Sequence, residues 1–498
     1  MRRFHLVVLT SILCSSCAIS TKYSRPAVQS PPAFNELAGS DQWKTATPSD
    51  TNLRGKWWEI FGDPQLNSLE EKIATSNWSV KQLEALFRQA VETININRTG
   101  YYPTATANPS ITQSDRGGNG GGGGGRGGTS ATFSLPFSAS WVPDLWNRVG
   151  MSVQAANLNA QVSAADLENL RLSLQGTLAV DYFSLLGADS QLDLLNQNIG
   201  IYQDYLTLTN NRFNAGVASR TDVLLAQTQL TQTQAQAIDL GVNRHQLEHS
   251  IAVLTGQFPG TFHIASGKLP PEPPQVPVGV PSTLLERRPD VAAAERVVMA
   301  ANVQIGIAKT AFFPTLTLSG QTGLSSGSLL NLLTWGSRVW SAGPTLAETL
   351  FDAGRRRAVV RQTQDAYDAT AASYQNTVLN AMADVEDSLS TLRVLAEEQA
   401  KQKEAVDAGE QSLTLETERY RAGTDSALNV ITTQNITLGN ERTAVSLLQR
   451  RLIACVNLIV SLGGGWDASA IPTVDELKSP DMKDPAKTQN VAAPPAAQ

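Results

Sequence analysis

Arg212-Phe213-Asn214-Ala215-Gly216 returns in this 498-residue chain as Arg419-Tyr420-Arg421-Ala422-Gly423, at an offset of 423 − 216 = 207. Asp222-Val223-Leu224-Leu225-Ala226-Gln227 returns as Asn429-Val430-Ile431-Thr432-Thr433-Gln434 at the same offset. Upstream, Gly100-Tyr101-Tyr102-Pro103-Thr104 returns as Ala311-Phe312-Phe313-Pro314-Thr315, at an offset of 314 − 103 = 211. Each copy closes alike, with Leu254-Thr255-Gly256 against Leu462-Gly463-Gly464. One plan is therefore used twice. The change of offset falls where the first copy carries a glycine run.

The order of elements is the same in both copies. A helix-forming segment (about Leu66–Thr99, then about Thr283–Thr310) leads into an aromatic pair followed by Pro-Thr. Alternation follows, as in Thr315-Leu316-Thr317-Leu318-Ser319 and in Phe133-Ser134-Leu135 continuing to Phe137-Ser138. Turn formers separate the strand segments, Asp115 to Gly128 in one copy and Gly323 to Ser328 in the other. Each copy thus predicts a β-hairpin, at about 102–141 and about 312–347.

After each hairpin proline vanishes, from Asp144 to Phe258 and from Thr345 to Ile471, although the chain holds 24. Proline breaks helix interiors at a cost of about 3 kcal/mol, so these runs permit very long helices. Gly216 and Gly423 interrupt them as helix C-caps followed by a turn. Each copy then gives a helical hairpin, with roughly sixty residues before the turn spanning ~90 Å. Charged residues are only 17% and aromatics 6%. Faces such as Gln227 to Thr233 carry too few apolar residues to be buried all round. Helices lying side by side with a wet face fit better than a globular core. A lipid-anchored coiled-coil scaffold without a pore would also use such helices, but leaves the strands unexplained.

The first sixteen residues read as an export leader: Arg2 and Arg3, an apolar core from Leu6 to Leu13, then Ser15-Ser16. Cys17 follows, and the ending resembles a bacterial lipobox, with Cys14 where leucine is usual. Lipidation of Cys17 with diacylglycerol and palmitate is the expectation; an ordinary secretory leader is the alternative. Two or more acyl chains anchor stably. The mature chain would keep only Cys455, in an apolar setting, so no disulfide framework exists. Loss of Arg2 and Arg3 takes the net charge from −6 to about −8, with no basic patch for nucleic acid. No later stretch approaches the ~20 consecutive apolar residues of a membrane helix.

Two hairpins make four strands, which cannot close on themselves, and the smallest membrane barrels need about eight. An open strand edge is forbidden in hydrocarbon, because each unpaired N–H and C=O costs several kcal/mol. If the hairpins enter a membrane, several chains must pool them. Taken alone, they fit a soluble sheet equally well.

Trp57-Trp58, Phe61, Asp63-Pro64, Leu66 and Leu69 resemble the opening motif of the TolC-like outer membrane factors. Leu285, Arg288-Pro289-Asp290-Val291, Ala294-Glu295, Ile305-Gly306 and Phe313-Pro314 are similar to the start of that family's second repeat. Arg212 to Gln227 and Arg419 to Gln434 resemble its two helical tips. Tyr23 and Pro26 after Cys17 resemble the lipoprotein branch that works with RND-type pumps.

The resemblance implies a fold that is mainly α with a β-barrel part. A homotrimer would pool four strands per chain into a twelve-stranded transmembrane barrel, above a long α-helical barrel and around a mixed equatorial domain. The chain would divide into a leader (1–16), an anchored linker and equatorial segment (17–65) and a first repeat (66–257, tip near 216). An inter-repeat link (258–282) follows, then a second repeat (283–465, tip near 423) and a C-terminal segment with a disordered tail (466–498). The collar would draw on Pro270 to Pro281. Gly216, Val217, Ala218, Gly423, Thr424 and Asp425 would meet a periplasmic adaptor. Leu428, Thr432 and Asn435 would line the periplasmic constriction. Many relatives carry an acidic residue at the position of Thr432 and a basic one at that of Asn435, so a mainly apolar gate is implied here. The role implied is a passive outer-membrane conduit, not an enzyme, with an adaptor and an inner-membrane RND-type pump as partners and no cofactor beyond the lipid.

Two other motifs carry less. His245-Gln246-Leu247-Glu248-His249 fits the H-x-x-E-H spacing of a periplasmic zinc peptidase, but lies inside the repeat with only two further histidines in the chain. Gly117 to Gly128 is not followed by the Gly-Lys-Ser/Thr of a phosphate loop, and reads as a flexible loop of the first hairpin.

Overall fold

The computed structural model describes residues 22–27, 34–37, 55–115, 129–276, 287–466 and 468–477. The leader, Cys17, the glycine run at 117–128, Pro277 to Pro281, Leu285 and the tail from Lys478 lie outside these described residues.

A short 3-10 turn, Trp57–Phe61, precedes α1 (Pro64–Ser76) and α2 (Trp78–Arg98). One helix was expected here. It is broken at Asn77, whose Oδ1 accepts from the Ser79 and Val80 amides at 2.8 and 3.1 Å. The same side chain donates to the Leu254 carbonyl at 2.8 Å, so a contact 177 residues away fixes the break.

The strands are β1 (Thr104–Ala107), β2 (Ser110–Asp115) and β3 (Thr129–Trp141), then β4 (Thr315–Ser326) and β5 (Arg338–Ala347). All pairings are antiparallel, in the order β1-β3-β4-β5, with β2 also on β3. β1 and β2 lie end to end along β3, so these strands fill four positions. The gap between them is Asn108-Pro109, near Pro136 of β3; neither proline can donate to the ladder. Turn residues were expected from Gly323 to Ser328, yet β4 runs through Ser326. Gly323 belongs to the strand because it passes over Pro136, where a Cβ would overlap the Leu135 carbonyl oxygen and lie 2.7 Å from the Pro136 Cα.

The helices repeat to the residue. α3 (Arg148–Asn214) and α6 (Arg355–Arg421) each have 67 residues, and α4 (Arg220–Leu254) and α7 (Ala427–Ser461) each have 35. At ~1.5 Å per residue the longer pair reaches ~100 Å. Between β-hairpins, α5 (Pro289–Thr310) starts on a proline at N1. α5 and α7 are apolar enough for a membrane span by mean hydropathy (1.3 and 1.4), contrary to the expectation. Their hydropathy comes from Ala, Val and Ile, joined by Leu in α7, spread along the helix. Both pack against the long helices: α5 on α3 and α6, and α7 on α6 and α3.

The main core sits partway along the long helices. Trp57, Leu66, Ile73, Tyr182, Phe183, Leu389, Leu452 and Leu458 meet there. Asp63 explains its motif: Oδ1 caps α1 through the Gln65 and Leu66 amides, and Oδ2 accepts the Tyr182 hydroxyl at 2.7 Å. Arg288 does the same for the second motif. It pairs with Asp290 at 2.8 Å and Asp384 at 3.1 Å, and donates to the Ser461 carbonyl at the end of α7. The C-terminal segment joins this belt through buried Ile471 and Leu477, with Gln161 donating to the Pro472 carbonyl at 2.9 Å. Cys455, packed here, has its thiol pushed up to about 12 by burial.

α6 buries Tyr374, Val378, Ala381, Val385, Leu389, Leu392 and Leu395 at spacings of three and four. That is a single seam of coiled-coil width. Beyond this seam the helix buries Tyr420 at its tip, and its other described residues are partly or fully exposed in one chain.

Candidate functional site

The sheet has two chemically distinct faces, fixed by register. On one lie Ile111, Phe133, Leu135, Phe137, Trp141, Leu316, Leu318, Leu324, Trp340 and Leu346. On the other lie Thr104, Thr106, Ser110, Thr112, Ser134, Ser138, Ser140, Thr315, Thr317, Ser319, Gln321, Ser341 and Thr345. Hydroxyls touch across strands, Ser114 to Ser130 at 3.0 Å and Ser134 to Ser325 at 3.4 Å. No Asp, Glu, Lys or Arg stands on this face among the described residues.

Among the described residues no helix makes more than marginal contact with the sheet. Ile111 is 72% exposed and Trp340 80%. Burying one such side chain is worth ~1.5–3 kcal/mol, so a row of them left in water is costly. Both outer strands, β1/β2 and β5, also leave an edge unpaired. In hydrocarbon the apolar face is satisfied, but the edges then demand partners.

At the other end of the helices are the tips. Gly216 and Gly423 adopt φ of 77° and 79°. Val217 N–H bonds the Arg212 carbonyl and Gly216 N–H that of Phe213, each at 2.9 Å; Thr424 and Gly423 repeat the pattern at 3.0 Å. These are paired Schellman turns. Ser219 and Asp222 then form a capping box for α4, and Ser426 caps α7 through the Asn429 amide. Val217, Gly423 and Thr424 are exposed, while Ala218 and Asp425 are half-buried. The two tips are joined: the Tyr205 hydroxyl donates to the Ala427 carbonyl at 3.2 Å, and Arg212 donates to the Tyr420 carbonyl at 2.8 Å while lying over its ring.

Leu428, Thr432 and Asn435 share one exposed face of α7, at i, i+4 and i+7. Leu428 is 56% exposed among the described residues. The Thr432 hydroxyl bonds back to the Leu428 carbonyl at 2.8 Å. Asn435 does more than line a surface. Its Oδ1 accepts the Tyr202 hydroxyl at 3.1 Å, and its Nδ2 donates to Gln229 at 3.0 Å. Ile436, 58% exposed, continues the face one turn beyond Thr432. It was overlooked in the sequence, although i+8 from Leu428 points to it.

Glu248 of the H-x-x-E-H segment is buried and fully used. It accepts the Ile264 amide at 2.6 Å and faces Arg244, which also pairs with Asp189 at 2.6 Å. Burial opposes its charge, but the Ile264 amide, Arg244 and nearby His245 and His263 hold it below the usual carboxylate range. The set pins the strand-like segment after α4 to α3. Among the described residues no group of three or more His, Cys, Asp or Glu could hold a metal.

A sheet apolar on one side, hydroxyl-lined on the other and open at both edges, carried on helices of ~100 Å, defines a membrane channel subunit whose pore is shared between chains. The outer membrane efflux protein model matches residues 70–257 and again 280–464, one match per repeat. The chain belongs to the outer membrane efflux protein family, and it is the outer-membrane channel component of an efflux system in a Gram-negative bacterium. It is 28% identical to the outer membrane protein OprJ of Pseudomonas aeruginosa over 467 residues, 92% of this chain and 95% of that protein. It is also 28% identical to the pyoverdine export outer membrane protein OpmQ of the same species, over 88% of this chain and 93% of that one. The solved structure of the outer-membrane channel OprN superposes with a TM-score of 0.81, at 27% identity, covering 90% of this chain and 99% of that one.

Proposed function

We propose that three copies of this chain pool their sheets into one twelve-stranded barrel and their helices into one periplasmic tube, a passive conduit driven from elsewhere. The observation that carries this is the bare two-faced sheet with both edges open. Three sheets joined edge to edge satisfy every edge, place the apolar face toward lipid and leave a Ser/Thr-lined bore. The open flank of α6 supports the same assembly, since a helix with one buried seam needs neighbours on its other side.

Cys17 is lipidated and tethers the start of the chain to the membrane. The tips at Gly216, Val217, Ala218 and Gly423, Thr424, Asp425 dock a periplasmic adaptor, and an inner-membrane RND-type pump supplies the energy. Leu428 forms the apolar constriction, with Thr432 and Ile436 above it. The exposed row on α7 supports this reading, because Leu428 and Ile436 stay exposed among the described residues.

Purified full-length protein in planar bilayers tests the conduit. The wild type gives small, mostly closed conductance, and Leu428→Ser raises it by widening and wetting the ring. No conductance from either protein overturns the channel; equal conductance from both overturns Leu428 as the constriction.

A further inference from the structure

The connection at 327–337, between β4 and β5, is a built platform. The Asn331 carbonyl accepts from the Thr334 amide at 3.1 Å, the Thr334 hydroxyl at 2.7 Å and the Ser337 hydroxyl at 2.6 Å. Two 3-10 turns, Leu329–Asn331 and Trp335–Ser337, are closed by these bonds, and Ser337 is buried. Yet Leu330 is 92% exposed, and Leu329, Leu333 and Trp335 are exposed with it. A rigid loop holds these side chains outward, at the end of the sheet away from the helices.

A cation is fixed beside them. The Arg338 guanidinium lies 3.0 Å from the Trp335 ring centroid, and its Nε donates to the Trp335 carbonyl at 2.9 Å. No carboxylate pairs with it among the described residues. By register Arg338 stands opposite Leu324, so it and Trp340 lie on the apolar face of the sheet. The loop therefore prolongs the apolar surface past the strand ends and sets a guanidinium beside it.

We propose that this loop binds a phosphorylated glycolipid of the outer leaflet, with Leu329, Leu330 and Leu333 against acyl chains and Arg338 against a phosphate. A guanidinium presents paired donors that match phosphate oxygens. Tryptophan is at home at a membrane interface. A neighbouring copy of this loop could cover the leucines but brings no carboxylate of its own, since residues 327–337 contain none. Edge-to-edge joining does bring the outer end of a neighbour's β2, with Asp115 on the same face by register, toward the outer end of β5. Asp115→Asn is therefore measured beside Arg338→Gln. Unchanged lipid binding in Asp115→Asn is expected if Arg338 holds the phosphate, and a large gain would show that Arg338 is paired between chains instead. The inference rests on the sheet being a barrel segment in the outer membrane, with this loop on the outward side.

Full-length protein in phosphatidylcholine nanodiscs is titrated with purified lipopolysaccharide or with phosphatidylglycerol, and bound lipid per channel is counted by native mass spectrometry. The wild type binds lipopolysaccharide saturably; Arg338→Gln and the double variant Leu330→Ser/Leu333→Ser each bind about tenfold more weakly. All three proteins conduct alike in planar bilayers, because the loop lies outside the constriction. Unchanged binding in both variants overturns the glycolipid site, as does phosphatidylglycerol binding equally well. So does a disulfide between copies carrying Leu330→Cys, which places the loops against each other. Loss of wild-type conductance instead strikes the channel reading on which the proposal stands.

Discussion

The side-chain amide of Asn435 donates to Oε1 of Gln229 at 3.0 Å, tying the second helical hairpin to the first across 206 positions of sequence. The Tyr202 hydroxyl closes the other side of the same amide at 3.1 Å, so three helices converge on one neutral group. Hydrogen bonds between uncharged groups thus couple the hairpins just above Leu428.

Asn435→Ala removes both bonds, and water satisfies the groups left behind. Neutral hydrogen bonds contribute ~0.5–1.5 kcal/mol each, so each subunit loses about 1–3 kcal/mol of hairpin coupling. Open probability in planar bilayers rises about tenfold. Tyr202→Phe removes one of the two Asn435 bonds, together with the bond the hydroxyl accepts from Gln229 Nε2 inside the first hairpin. It gives a smaller rise because the Asn435–Gln229 link between hairpins remains. An unchanged opening rate in both variants would show that these contacts do not restrain the tube.

Arg288 joins the start of α5, the side of α6 and the last carbonyls of α7, and its side chain is only 13% exposed. Burial opposes its charge, yet Asp290 and Asp384 raise its pKa above the ordinary value. Arg288→Ala should cost about 2–4 kcal/mol, since charge-assisted bonds break and Asp290 is left unpaired. Arg288→Lys restores part of this but cannot reach all three partners. Thermal unfolding of the purified channel measures both.

Glu70 is wholly buried on α1, and neither carboxylate oxygen has a hydrogen-bond partner among the described residues. Burial holds its pKa well above the ordinary value of 4.5. Between those two values the folded chain binds a proton that the unfolded chain releases, so stability falls as pH rises through that window. Glu70→Gln abolishes this dependence. The variant melts close to the wild type near pH 5 and above it at pH 8. Parallel melting curves across that range would contradict the buried, protonated carboxyl.

Gly323 lets β4 pass over Pro136, where any Cβ would meet the Leu135 carbonyl and the Pro136 backbone. Gly323→Val, although valine favours strands, should lower the yield of membrane-inserted channel several-fold. Gly336→Ala, where a Cβ meets nothing within 4 Å, serves as the control and inserts normally.

The duplication made the helices legible. Gly216 with Ser219 and Gly423 with Ser426 mark the same turn twice, and local capping chemistry alone places it. Alternating Thr and Leu likewise exposed the strands. What stayed hidden depends on distant contacts. Asn77 breaks a helical segment because it reaches Leu254. Gly323 looks like a turn former until Pro136 is placed beneath it. Glu70 carries no local sign of burial, and the role of Glu248, whose H-x-x-E-H spacing already carried little weight in the sequence, depends on the Ile264 amide sixteen residues on. At the proposed constriction, Leu428 and Thr432 came from the resemblance of the tip sequences, whereas the partners of Asn435 belong to the other repeat and had no local sign.

The central claim is that one chain cannot seal its own sheet. The mass of the purified, full-length protein in lipid nanodiscs, read together with hydrogen exchange at β1 and β5, tests it directly. Three chains per particle, with the edge-strand amides as protected as those of β3 and β4, is the predicted result. A single chain per particle with freely exchanging edges would contradict it.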